Sequence, residues 1–214
     1  MSARNGPELR AWRKEVMERC ANTCQGCGAT GKLDAHHIIP LAQTRAFAFN
    51  RANGVALCRK CHAKTESYAN SKTKRFRPSM WGFIVKFIPH RWQDYATVGN
   101  YFQNSTQVGF LVSDTRNEKY NHLVWAHEFI EWLICRLTGV KMKAIDKFDM
   151  SYEAARERGD AKTPCGCTWR PEPGDDIHCP YYSAHQTATM CEKAIAREIG
   201  VTWDEYSTVV ENLA

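Results

Sequence analysis

Two cysteine pairs constrain this chain more than any other feature in it. Cys24-x-x-Cys27 and Cys58-x-x-Cys61 stand 30 residues apart. Each pair can offer two thiolates to one metal from a tight turn, and together they complete a tetrahedral all-cysteine zinc site. With ten cysteines in 214 residues, roughly 0.5 CxxC pairs arise by chance. One pair therefore says little, whereas two pairs bracketing further histidines say much. The alternative is four buried cysteines with no metal. A unit of roughly 60 residues has a marginal core, and structural zinc supplies on the order of 10–16 kcal/mol of apparent binding free energy. Four sulfur ligands leave no open coordination position, so the expected role is structural and the chemistry must lie elsewhere.

Charge divides the chain. Residues 1–90 hold 16 Lys and Arg against 5 Asp and Glu, and residues 91–214 hold 13 against 18. The first part suits a polyanion; the second does not. Apolar content of 43% and aromatic content of 11% support packed cores rather than disorder. No apolar run reaches the ~18–20 residues that span a bilayer, and no membrane role is expected. The first residues, Met-Ser-Ala-Arg-Asn-Gly-Pro-Glu, carry no apolar leader segment. A cytoplasmic protein is expected, where thiols favour metal over disulfides.

Periodicity outlines the elements. Leu9, Trp12, Val16 and Met17 mark a helix over residues 8–20. Asn22–Gly31 is rich in turn residues. Leu33–Pro40 and Val55–Cys58 read as two extended arms, with a turn at Asn53-Gly54, and Lys60–Tyr68 as a helix. A basic linker is expected over residues 70–90. Strands are expected near Thr97–Phe102 and Val108–Ser113, then a helix over Glu118–Leu137 stopped by Gly139. Residues 159–180 read as a loop and Ser183–Ile199 as a helix. The fold class is α+β, with domains at 1–69 and 91–214.

His36 and His37 sit on the first arm, where neighbouring side chains point to opposite sides. One can face a metal and the other a water nucleophile. His62 follows Cys61 directly, so the cysteine site sets its direction. The run Cys24-x-x-Cys27, Ala35-His36-His37-Ile38-Ile39-Pro40, Asn53-x-x-x-Leu57-Cys58-x-x-Cys61-His62 resembles the HNH endonuclease family in its zinc-knuckle form, over about residues 8–68. Many members carry Asp where this chain has His36; both are competent metal ligands. The resemblance implies a ββα-metal fold, with His37 as general base and Asn53 ordering the connecting turn. His36 and His62 would hold one divalent metal (Mg²⁺, Mn²⁺ or Zn²⁺), and the substrate would be DNA. Arg45, Arg51, Arg59, Lys60 and Lys64 surround the motif as candidate phosphate contacts.

The second part is less explicit. His127 and Glu131 are four apart on the long expected helix and share a face. The run His127-Glu128-x-x-Glu131 resembles the metal helix of zinc metallopeptidases, with Glu131 where they carry a second histidine. His185 and Glu192 share a face on the last expected helix. His127, Glu131 and His185 are thus a candidate second metal site; the alternative is a polar network without metal. Cys165, Cys167, His178 and Cys179 are candidates for a further zinc, against unpaired thiols. This part also resembles uncharacterised phage-encoded proteins with a similar His-Glu helix, which would place the chain in a host cytoplasm. The expected function is a metal-dependent DNA endonuclease. The alternative is a non-catalytic nucleic-acid-binding knuckle fused to a zincin-like hydrolase.

Overall fold

The computed structural model describes residues 6–41, 43–65, 82–104, 107–170 and 172–213. It mixes helices and sheets, at 46% helix and 16% strand. The chain forms two compact units, Met1–Ile84 with Phe102–Gly109, and Val85–Tyr101 with Phe110–Ala214.

In the first unit, helix α1 (Pro7–Arg19) opens with a proline at a position whose N–H needs no helical partner. Its buried face carries Leu9, Trp12 and Val16, spaced by three and four. These pack on Cys20 and Ala56, with Leu33 and Ala35 alongside. The Trp12 indole N–H donates to the Asn50 carbonyl at 2.8 Å. Strands β1 (Leu33–His37) and β2 (Gly54–Cys58) pair antiparallel, Leu33 opposite Cys58 and His37 opposite Gly54. Helix α2 (Arg59–His62) follows β2 directly. It is shorter than the helix expected over Lys60–Tyr68, whose residues beyond Thr65 lie outside the described residues.

The expected linker over residues 70–90 lies outside the described residues as far as residue 81. Beyond it, Gly82–Ile88 form strand β3. With β4 (Gly99–Gln103) and β5 (Gln107–Ser113) it makes a sheet in the order β3-β5-β4. The central strand, β5, is buried along all seven residues, with the apolar run Val108–Val112 between Gln107 and Ser113.

The second unit is mainly helical: α3 (Glu118–Thr138), α4 (Met142–Glu157), α5 (Tyr182–Glu198) and α6 (Trp203–Glu211). The Asn117 side chain accepts from the Lys119 and Tyr120 N–H groups and starts α3. Gly139, at φ 81°, ends it in the left-handed conformation expected of that glycine. Helices α3 and α5 pack on each other. The core joins Leu123 and Val124 to Val98, Val112, Ala196, Tyr206 and Val210. Among the described residues of 159–180, one 3-10 turn at Pro173–Asp175 interrupts irregular backbone. Among the described residues, no helix is long and apolar enough to cross a membrane.

Candidate functional site

The β1–β2 register brings both cysteine pairs to one end of the hairpin. Cys24 and Cys27 lie in a turn closed by the Gly28 N–H on the Cys24 carbonyl at 2.8 Å. Cys58 ends β2 and Cys61 lies in α2. The four sulfurs all fall within 4.8 Å of one another, and Cys27 Sγ and Cys58 Sγ are 3.7 Å apart. Tetrahedral zinc with bonds of about 2.3 Å needs sulfurs about 3.8 Å apart, so the group fits structural zinc.

Local chemistry agrees with that fit. The Gly26 N–H points at Cys24 Sγ at 3.4 Å. A Cβ on Gly26 would come within 2.7 Å of Cys61 Sγ, so glycine lets the turn close over the sulfurs. Burial raises the Cys24 thiol, but the N–H groups of Cys58, Gly26 and Cys27 outweigh it and bring the thiol down to about 6. Cys61 is pushed up to about 12, by its hydrogen bond with Cys27 first, then by burial and the other two thiols. A dication is what allows all four sulfurs to ionise together.

The histidines diverge as alternation along a strand demands. His36 is buried and meets His62 edge-on, ring centroids 4.9 Å apart. Burial, then the neighbouring His62 and His37, lower His36 to about 4 and keep it neutral. His37 stacks on Trp12 at 4.0 Å and 7°. Its Nε2 lies 2.9 Å from the Ala48 carbonyl, which can only accept, so Nε2 carries the proton and Nδ1 the lone pair. Burial lowers His37 as well, partly opposed by that carbonyl.

Asp34, absent from the sequence reading, joins the group. Its Oδ2 lies 3.3 Å from His62 Nδ1. It stands two residues before His36 on β1 and so shares its face, the one sequence signal that could have found it. Asp34 is exposed and His62 half-buried.

Asn53 is fully buried between the arms. Its Oδ1 accepts from the Ile39 N–H at 2.6 Å. Its Nδ2 donates to the Ile39 carbonyl at 3.2 Å and the Phe47 carbonyl at 3.1 Å. The side chain thus ties the segment after His37 to the loop that carries Ala48. Replacing it takes this partner from the Ile39 N–H and carbonyl, at about 1–3 kcal/mol for each group left unpaired, while the Phe47 carbonyl keeps the Asn50 N–H. Asn53→Ala is expected to lose about 2–4 kcal/mol in denaturant unfolding of the zinc-loaded protein. Arg45, Arg59, Lys60 and Lys64 are exposed and Arg51 is half-buried.

In the second unit, His127, Glu131 and His185 converge from α3 and α5, with ligand atoms within 4.8 Å of one another. The group over the 159–180 loop differs from the expected one. Cys165, Cys167, Asp176 and His178 come together. Cys179 is buried instead, and burial pushes its thiol well up. Asp176 takes its place, with Oδ2 at 3.0 Å from Cys165 Sγ.

No curated protein and no solved structure matches the chain. A family model described as HNH endonuclease matches residues 24–67. That segment holds both cysteine pairs, Asp34, His36, His37, Asn53 and His62, so the N-terminal part of this chain carries an HNH domain and the match supports a nuclease.

Proposed function

We propose that the N-terminal domain, residues 1–69, is a metal-dependent endonuclease that hydrolyses DNA phosphodiester bonds. The observation that carries this reading is the pairing of His36 with His62 on one side of β1, while His37 turns to the other with its tautomer fixed. His36 and His62 would hold a divalent ion; their rings meet with centroids 4.9 Å apart, and the Asp34 carboxylate adds an oxygen donor beside His62. When bound, the ion supplies Lewis acidity to a phosphate oxygen and offsets charge on the leaving 3′-oxygen.

The rest is done by the chain. His37 Nδ1 accepts a proton from water as the water oxygen bonds to phosphorus and the bond to the 3′-oxygen breaks. The 3′-oxygen takes its proton from solvent. The Ala48 carbonyl holds the tautomer and stabilises the positive charge that builds on the ring. The Trp12 face fixes the ring plane. Asn53 keeps Ala48 and His37 in register. The cysteine site, being closed, positions His62 and takes no part in the chemistry.

The test is incubation of supercoiled plasmid with the full-length protein and Mg²⁺, Mn²⁺ or Zn²⁺. Nicked or linear product that requires the added metal supports the reading. No cleavage under any of the three would favour a knuckle that only docks nucleic acid. The buried His127–Glu131–His185 group would then be the place to look for hydrolysis.

Binding makes a separate prediction. Exposed Arg45, Arg59, Lys60 and Lys64, with Arg51, can neutralise phosphates. Affinity for duplex DNA should then fall by roughly 10²–10³-fold between 50 and 200 mM salt. The check is a fluorescence-anisotropy titration at several salt concentrations, and a flat response would remove these residues from the interface.

A further inference from the structure

We infer that the second unit holds a transition-metal dication of the zinc class through His127 Nε2, His185 Nδ1 and Glu131 Oε2, at a site independent of the nuclease. Three distances define the triangle: His127 Nε2 to His185 Nδ1 is 3.2 Å, His185 Nδ1 to Glu131 Oε2 is 3.1 Å, and His127 Nε2 to Glu131 Oε2 is 3.6 Å. Ligands on one small dication at about 2.0–2.2 Å stand about 3.0–3.6 Å apart. All three residues are buried.

The surroundings decide where the protons are. His127 Nδ1 faces Glu192 Oε2 at 3.0 Å. A carboxylate accepts, so Nδ1 carries the hydrogen and Nε2 turns a lone pair inward. His185 Nε2 faces Asp175 Oδ1 at 3.5 Å and Glu172 Oε2 at 3.6 Å. His185 Nδ1 lies nearer still to Glu131 Oε2, at 3.1 Å, so the neutral ring carries its hydrogen on Nδ1 when the centre is empty and on Nε2, towards Asp175 and Glu172, when Nδ1 binds a cation. The Tyr101 hydroxyl donates to Glu131 Oε1 at 3.3 Å, leaving Oε2 for the centre. The Tyr206 hydroxyl donates in turn to Glu192.

In the metal-bound arrangement three lone pairs meet at one point, with both ring hydrogens held by the outer carboxylates. The metal-free alternative is one hydrogen on His185 Nδ1, shared by Glu131 Oε2 and His127 Nε2. A dication satisfies all three donors at once. Outer carboxylates that orient metal-bound histidines in this way are a regular accompaniment of such sites. The backbone complies too: a Cβ on Gly174 would lie 2.5 Å from the His185 ring, so only glycine lets the loop approach it.

Two imidazoles and one carboxylate favour zinc-class ions over Mg²⁺ or Ca²⁺. Three protein ligands leave a coordination position open. The ligands and the Glu128 carboxylate line a cavity of about 50 Å³, which has room for water. The site is therefore of the open, water-binding type rather than the closed type made by the cysteines.

The test is a Co²⁺ titration of the metal-stripped, full-length His36→Ala protein, followed by absorption. The cysteine site reports through sulfur-to-cobalt charge transfer. A nitrogen and oxygen site reports through d–d bands alone. One equivalent bound without charge transfer is expected, and Zn²⁺ should displace it. Adding Glu131→Gln should abolish that equivalent while the thiolate band and hydrogen-exchange protection of α3 and α5 remain. Glu192→Gln, which removes no ligand, should weaken it by roughly 10–100-fold. Cobalt bound only with the thiolate band, or unchanged uptake in Glu131→Gln, would overturn the inference. Neither result depends on nuclease activity, so failure here leaves the nuclease reading standing.

Discussion

Cys58→Ser is expected to unfold the first unit while the second stays folded. Among the described residues, the first unit buries the cluster Leu9, Trp12, Val16, Cys20 and Ala56 beneath α1, with Ile39, Phe47, Val55 and Leu57 buried besides. Clusters of that size leave a domain of roughly 60 residues marginal. The cysteine site closes the 24–28 turn, the end of β2 and α2 onto one another. Losing one of four thiolates forfeits a large part of the order of 10–16 kcal/mol that structural zinc supplies. Stability of a domain is about 5–15 kcal/mol in total, so the loss is comparable to the whole. Hydrogen exchange read by peptide mass spectrometry checks this. Peptides from residues 6–65 should lose protection, and those covering α3 and α5 should keep it. Protection unchanged throughout would mean that the four cysteines are thiols with no metal.

The second large effect is on catalysis. His37→Ala removes the candidate base whose tautomer is set through Ala48 and whose plane is set by Trp12. A positioned general base contributes about 10²–10⁴-fold to rate. The variant should lose that factor in plasmid nicking. His36 and His62 are untouched, so metal uptake at that site should persist. The stacking contact with Trp12 is lost as well, so unfolding should be measured beside the rate. A loss of rate with normal stability and normal DNA affinity assigns the effect to the missing imidazole. His36→Ala should instead lose rate together with metal affinity, which separates the two neighbours experimentally.

The parts of this molecule legible in the sequence are those fixed by local geometry. Two CxxC turns and a short hairpin need only residues near in sequence, so the knuckle and the opposite facing of His36 and His37 followed from spacing and alternation. Helix α3 was legible because Asn117 and Gly139 cap a strongly periodic run. Helix α4 was not, because its buried face carries Asp149 and Glu153 beside Ile145, Tyr152 and Ala155. Acids at inward positions erase the apolar stripe from which a helix is read. Asp149 can lie there because the hydroxyls of Tyr95 and Tyr181 donate to it, at 3.1 and 2.7 Å. Those partners come from 54 and 32 residues away, and no local pattern shows them.

The same reason hid the other partners. Asp34 gains meaning only from His62, 28 residues on. Spacing placed Glu192 on the His185 face, but its contact with His127 was not legible, and Glu172 gains its meaning only from His185. Cys179 was expected with Cys165 and Cys167, but the turn after Asp176 sends it into the core and leaves His178 at the surface. Helix α6 carries Trp203, Tyr206 and Val210 at helical spacing, but over only nine residues. Strand β3 lies within a stretch dominated by its cations.

The central claim is that the His36–His37–His62 group cleaves DNA. The most direct measurement is single-turnover cleavage of supercoiled plasmid by wild type and His37→Ala at equal zinc content, with DNA binding measured in parallel. Metal-dependent cleavage by wild type, lowered at least 10²-fold in the variant at unchanged DNA affinity, is the predicted result. Cleavage by His37→Ala at the wild-type rate would contradict it.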